Sequence, residues 1–70
     1  MTFGRRVREA REKRRLTQED LAYAARLHRT HISLIERGER SVRIETIERL
    51  ALALGLQPAE LMPPVKLPRR

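Results

Sequence analysis

His28 and His31, three residues apart, with Ser33 and Asp20 close by, are the side chains of this 70-residue sequence whose types could do chemistry. An Asp–His–Ser set suits nucleophilic catalysis, and a histidine pair at helical spacing suits a metal. The catalytic reading needs a loop of donors to hold an oxyanion, and no segment supplies one. The metal reading needs about four ligands, yet the chain has no cysteine and no third ligand near the pair. The expectation is a protein that is not an enzyme, with no catalytic residue, cofactor or metal. The histidines then read as polar or phosphate contacts whose charge changes near neutral pH. Binding chemistry is what remains in residues 26–40, RLHRTHISLIERGER. Arginine, threonine, histidine and serine alternate there with the apolar Leu27, Ile32 and Ile35, and Leu34 stands apart from that apolar set.

These residues need a frame. No segment alternates with period two over strand length, and the apolar residues recur at helical spacings instead. Phe3, Val7 and Ala10 form a stripe on a first helix ending near Arg15. Leu21, Ala22 and Ala25 mark a second helix, and Ile32 with Ile35 a third. Ile44, Ile47, Ala51 and Leu54 mark a fourth, closed by Gly55. Pro58 suits the first turn of a short fifth, ended by Pro63 and Pro64. Four apolar pairs spaced by five, Leu16/Leu21, Leu27/Ile32, Val42/Ile47 and Leu56/Leu61, match the staple that brackets a helix start. They make Thr17, His28, Arg43 and Gln57 the N-caps. Thr17 with Asp20 forms a good capping box, whereas His28 and Arg43 are poor caps. The fold class is therefore all-α, five short helices in one domain over residues 1–62, followed by a basic, proline-containing tail over residues 63–70.

Composition restricts the partners. No cysteine excludes disulfides and thiolate metal sites. No apolar run approaches ~18 residues and no signal-like segment is present, so the expectation is a cytoplasmic protein that does not enter a membrane. The net charge is +7 and fourteen of sixteen cations are arginine, which suits bidentate bonding to phosphate or guanine. Residues 1–15 carry seven cations against Glu9 and Glu12, and the tail adds Lys66, Arg69 and Arg70. The first helix reads equally as a solvated basic face or as a phosphate contact.

Helix two (about 18–25), a turn (26–28) and helix three (about 29–37) read as a helix-turn-helix. Small Ala22 faces the next helix, and Leu21, Ala25, Leu27, Ile32 and Ile35 seal the corner. The opposite face of helix three is left outward, with Arg29 and Thr30 in its first turn and Ser33 and Leu34 in the next.

VREAREKRRLTQEDLAYAARLHRTHISLIERGER and the following IETIERLALALGLQPAEL resemble the Cro/phage-repressor (Xre-like) helix-turn-helix family, lambda-repressor-like in fold. Within it, RLHRTHISLIERGER is most similar to the small controller proteins of restriction–modification systems. The resemblance implies a transcriptional regulator that binds double-stranded DNA in a sequence-specific way. By position it implies base reading by Arg29, Thr30, Ser33 and Leu34. Backbone contacts fall to Gln18 at a helix N-terminus, to His28 and His31, and to Arg37, Arg40 and Arg43 in the following loop. It further implies a buried ion pair between Arg11 and Glu36. Arginine can bond guanine O6 and N7 together, and a leucine can meet a thymine methyl, although a singly exposed leucine is also ordinary. Arg15 and Arg26 stand where the family carries glycine. A left-handed arginine costs roughly 1–2 kcal/mol, so the turn before helix three is expected to close in another way.

Leu52 lies off the buried stripe of helix four and, with Leu61, Met62, Val65 and Leu67, would make an apolar patch. Proteins of this family dimerise through their last helices, so the expectation is a homodimer on a near-palindromic operator; the alternative is that the tail folds back over Leu52. A second function class stays open, an antitoxin or protein-interaction subunit that also binds its own promoter. No small-molecule effector is expected.

Overall fold

The four apolar pairs spaced by five fall at the starts of four helices. The computed structural model describes residues 2–62 and contains α1 (Phe3–Lys13), α2 (Gln18–Ala25), α3 (Arg29–Glu36), α4 (Ile44–Leu54) and α5 (Pro58–Leu61), with no strand among the described residues. Thr17 Oγ1 accepts from the Asp20 N–H at 3.0 Å while Asp20 Oδ2 accepts from the Thr17 N–H at 2.9 Å, the capping box expected at α2. The backbone bond from Thr17 is the main reason the Asp20 carboxyl lies below the ordinary range. Glu60 accepts from the Gln57 N–H at 2.8 Å at the start of α5. The two poor caps do not displace their helices. Arg43 makes no side-chain capping bond, and α4 still begins at Ile44.

Helix ends share one device. After α1, α2, α3 and α4 comes a residue in the left-handed region: Arg15 (φ 55°), Arg26 (φ 58°), Gly38 (φ 72°) and Gly55 (φ 70°). The next N–H then reaches back five residues, from Leu16 to Arg11 (3.1 Å), Leu27 to Ala22 (2.8 Å), Glu39 to Leu34 (3.0 Å) and Leu56 to Ala51 (2.8 Å). Such bonds satisfy carbonyls that a helix end leaves open. The expectation of a differently closed turn before α3 is thereby corrected, since Arg26 itself adopts the glycine conformation. At three of these ends the following residue is leucine. Leu16, Leu27 and Leu56 pack against the core from partial burial, and that packing offsets the strain at Arg15 and Arg26.

The core draws on every helix: Val7, Leu21, Ile32, Ile35, Leu50 and Leu61 are its fully buried large side chains. Two corrections concern α4. Ile44, expected on the buried stripe, is 74% exposed, and Leu50 takes a place in the core instead. The buried residues of α4 are therefore Leu50, Ala51 and Leu54, with Ile47 half-buried one turn before them, while Ile44 lies exposed on the first turn. Gly4 lets α1 come close to α3: a methyl added there would collide with the Ile35 carbonyl. No helix among the described residues is long and apolar enough to cross a membrane.

Candidate nucleic-acid interface

α2 and α3 meet through small and branched side chains. Ala22 is 4% exposed and Ala25 2%, against Ile32 at 0% and Ile35 at 1%. With both inward residues of α3 committed to the corner, its other side faces out. Arg29 and Thr30 are exposed and Ser33 and Leu34 half-buried, and none of the four belongs to the core. Leu34 is thus neither packed inside nor fully free. Gln18, from the first turn of α2, joins Arg29, Thr30 and Ser33 around a shallow cleft of about 200 Å³. Gln18 and the polar side chains of α3, eleven or more residues away in sequence, thus come together at one place.

His28 holds the start of α3. Its Nδ1 accepts from the Thr30 N–H at 3.1 Å, doing what serine or threonine does in a usual cap. An accepting Nδ1 leaves the neutral ring's proton on Nε2, free to donate outward from an exposed side chain. His31, one position past Thr30, is half-buried; burial first and the Arg40 charge second lower its pKa from 6.5. Arg37, Arg40 and Arg43 are all exposed on the segment between α3 and α4, and Arg37 lies 3.7 Å from Glu39.

At its other end α3 is anchored from α1 and α2. Arg11 donates from Nε to Glu36 Oε2 at 2.7 Å and from Nη2 to Glu36 Oε1 at 3.0 Å, and its Nη1 reaches the Leu16 carbonyl at 2.8 Å. The bond to Glu36 is the largest cause that raises the Arg11 guanidinium above its ordinary value, partly opposed by burial. Gln18 Nε2 donates to Glu36 Oε1 at 3.1 Å. One carboxylate at the last residue of α3 therefore ties down α1 and α2, and Arg11 also holds Leu16 ahead of α2.

Three contacts were not legible in residue spacing. Gln18, assigned by resemblance to a phosphate, has its side-chain amide on Glu36. Glu19 stands 4.0 Å from Arg29, a long exposed pair at the edge of the cleft. Arg14 donates to the Leu54 carbonyl at 2.6 Å and so closes the end of α4 from α1. Each joins residues that no periodicity relates. On α1, Arg5–Glu9 and Arg8–Glu12 form i,i+4 pairs at 3.7 and 3.2 Å on a solvated face.

The residues expected at a subunit interface divide. Leu52 is 83% exposed and Met62 41%. Leu61 is a correction: at 1% exposed it closes the chain's own core, because the turn of α5 points it inward against α4 and α1. Val65, Leu67 and the rest of the tail lie outside the described residues.

A helix-turn-helix domain model matches residues 2–62. The control protein C.BamHI of Bacillus amyloliquefaciens is 48% identical over 63 residues, covering 89% of this chain and 78% of that protein. The structure of the restriction-modification controller protein C.AhdI from Aeromonas hydrophila matches with a TM-score of 0.84 at 43% identity, over 86% of this chain and 91% of that one. The P22 c2 repressor, solved in complex with a synthetic operator, matches with a TM-score of 0.83 at 29% identity, over 89% and 94% of the two chains.

Proposed function

Since the chain belongs to the helix-turn-helix family and is a sequence-specific DNA-binding transcriptional regulator, we propose that two copies of it hold one near-palindromic operator, each laying α3 in a major groove. Arg29, Thr30, Ser33 and Leu34 read base edges. The Gln18 N–H, the His28 Nε2–H, His31, Arg37, Arg40 and Arg43 hold phosphates. Phosphate contacts supply most of the affinity and the outward edge of α3 supplies the discrimination. The single observation that carries this reading is that edge: two exposed and two half-buried side chains of mixed chemistry on a helix whose inward residues are fully used.

Leu52 and Ile44, exposed on the outer side of α4, together with Met62 form the surface through which the copies meet. Regulation acts through protein concentration and cooperative occupancy of neighbouring sites. Selection of binding sites from random duplex DNA tests the proposal in one experiment. The expected product is a near-palindrome with half-sites ~10 bp apart, or a multiple of that. An enriched sequence without two-fold symmetry, or equal retention of all duplexes, would overturn it. Co-purification of a second polypeptide on the α4 surface would favour a protein-interaction subunit over a homodimer.

A further inference from the structure

A groove of about 410 Å³ opens where the start of α1 meets the end of α3 and the start of α4. Phe3, Ile35, Val42, Ile47 and Met62 line it, and Arg40 is the one charged side chain that does so among the described residues. None of Arg29, Thr30, Ser33 and Leu34 takes part. Ile35 is buried, whereas Phe3, Val42 and Ile47 are half-buried and Met62 is 41% exposed. Four large apolar side chains left partly open at one place form a patch that a further apolar group would cover.

The chain itself continues from this groove. Met62 is both a lining residue and the last described one, and its φ of −81° and ψ of 140° are those of extended backbone. Pro63-Pro64-Val65-Lys66-Leu67-Pro68-Arg69-Arg70 follow. A proline biases the residue before it toward extended backbone, which applies to Met62, Pro63 and Leu67 alike. An extended chain puts Val65 and Leu67 on one side and Lys66 on the other. At about 3.3 Å per residue Val65 reaches about 10 Å from Met62 and Leu67 about 17 Å, the right range for a groove that begins at Met62. Charge agrees as well. The tail carries three cations and no acid, and Glu48, the residue after Ile47 on α4, is exposed and enters no ion pair among the described residues.

We propose that residues 63–70 dock in this groove of their own chain, with Val65 and Leu67 against Phe3, Val42 and Ile47 and Lys66 turned to solvent. The docked tail braces the joint between α1, the end of α3 and the start of α4. It thereby steadies the segment that carries Arg37, Arg40 and Arg43. Leu52 and Ile44 do not line the groove. This placement therefore differs from a tail folded over Leu52, and it leaves both residues open to a second copy. The two surfaces adjoin at Met62. Residue spacing within single helices gave no sign of the groove, because its walls come from three separate parts of the chain.

Methyl NMR on the full chain tests the docking, with an equal mixture of labelled and unlabelled protein to separate contacts within a chain from contacts between copies. The expected result is nuclear Overhauser effects from the Val65 or Leu67 methyls to the Phe3 ring and the Ile47 methyls, all within one chain. Val65→Ser combined with Leu67→Ser should abolish them and lower the melting temperature by roughly 5 °C or more. It should also speed amide exchange severalfold at Glu39, whose N–H bonds the Leu34 carbonyl at 3.0 Å. Contacts to Leu52 instead, contacts only between copies, no contact to the groove, or a double variant that melts with the parent would each overturn the proposal. If the double variant does not fold, the contacts in the parent chain decide alone.

Discussion

Replacing Arg11 by alanine strands the carboxylate at the end of α3, and the cost can be worked from the contacts. The Glu36 side chain is 3% exposed and that of Arg11 12%. The truncation removes two donors to Glu36 and one to the Leu16 carbonyl, leaving Gln18 Nε2 as the carboxylate's remaining side-chain partner. Removing one member of a buried pair costs about 3–5 kcal/mol, because the other charge stays buried. A chain of this length has a total stability of about 3–10 kcal/mol, so the loss is roughly a third or more of it. At about 4–8 °C per kcal/mol for a domain of this size, the melting temperature falls by at least ~12 °C. Urea unfolding followed by circular dichroism measures the effect. The double replacement Arg11→Met with Glu36→Leu should cost less than Arg11→Ala, since no charge is left stranded. A single variant within about 1 kcal/mol of the parent, or a double variant less stable than the single, would refute the reasoning.

Further expectations concern the DNA face, the turns and pH. Arg29→Ala should relax preference at one operator base pair by about 1–3 kcal/mol, whereas Arg43→Ala should weaken operator and random duplex alike and lower the salt slope by about one, as read by fluorescence anisotropy. Arg26→Gly should raise stability by about 1 kcal/mol by relieving the left-handed arginine; a lower melting temperature would contradict that. Gly4→Ala should destabilise by about 1–3 kcal/mol although alanine favours a helix, because its methyl meets the Ile35 carbonyl. For His31, the fold favours the neutral ring, so the unfolded chain binds the proton first. That contribution to stability is complete above 6.5 and is lost as pH falls from there toward the lower folded value. The urea midpoint should therefore drop on acidification, and the drop should shrink in His31→Gln.

Helix positions were readable because each start carries two independent signals. At α2 the Leu16/Leu21 staple and the Thr17–Asp20 box agree, and at α5 Pro58 and Glu60 agree. The outward placement of Thr30 followed from Ile32 and Ile35 pointing in, since a short helix has only one inward stripe. Two kinds of feature stayed hidden. Ile44 fits the α4 stripe by spacing, but burial depends on what lies opposite, and Ile44 is left 74% exposed. Leu61 and Leu52 look alike in sequence, yet at 1% and 83% exposed they have opposite roles. Contacts such as Gln18–Glu36 and Arg14–Leu54 join helices far apart in the chain, and pattern within one helix has no access to them.

The arginines at the helix ends connect charge to geometry. Arg15 and Arg26 each carry about 1–2 kcal/mol of left-handed strain that glycine would avoid. Part of that is returned electrostatically, because a cation just beyond a helix C-terminus is favoured by about 0.3–1 kcal/mol. The rest is offset through the next residue, as Leu16 and Leu27 each drive a backbone bond and an apolar contact that the turn alone makes possible. The direction of α3 is then fixed at three points: the Arg26–Leu27 turn before it, the His28 cap at its start and the Glu36 anchor at its end. None of those three uses the side chain of Arg29, Thr30, Ser33 or Leu34. A helix held by contacts outside the side chains of its proposed reading edge can change that edge without losing its pose, so substitutions among the four should alter sequence preference with little effect on folding.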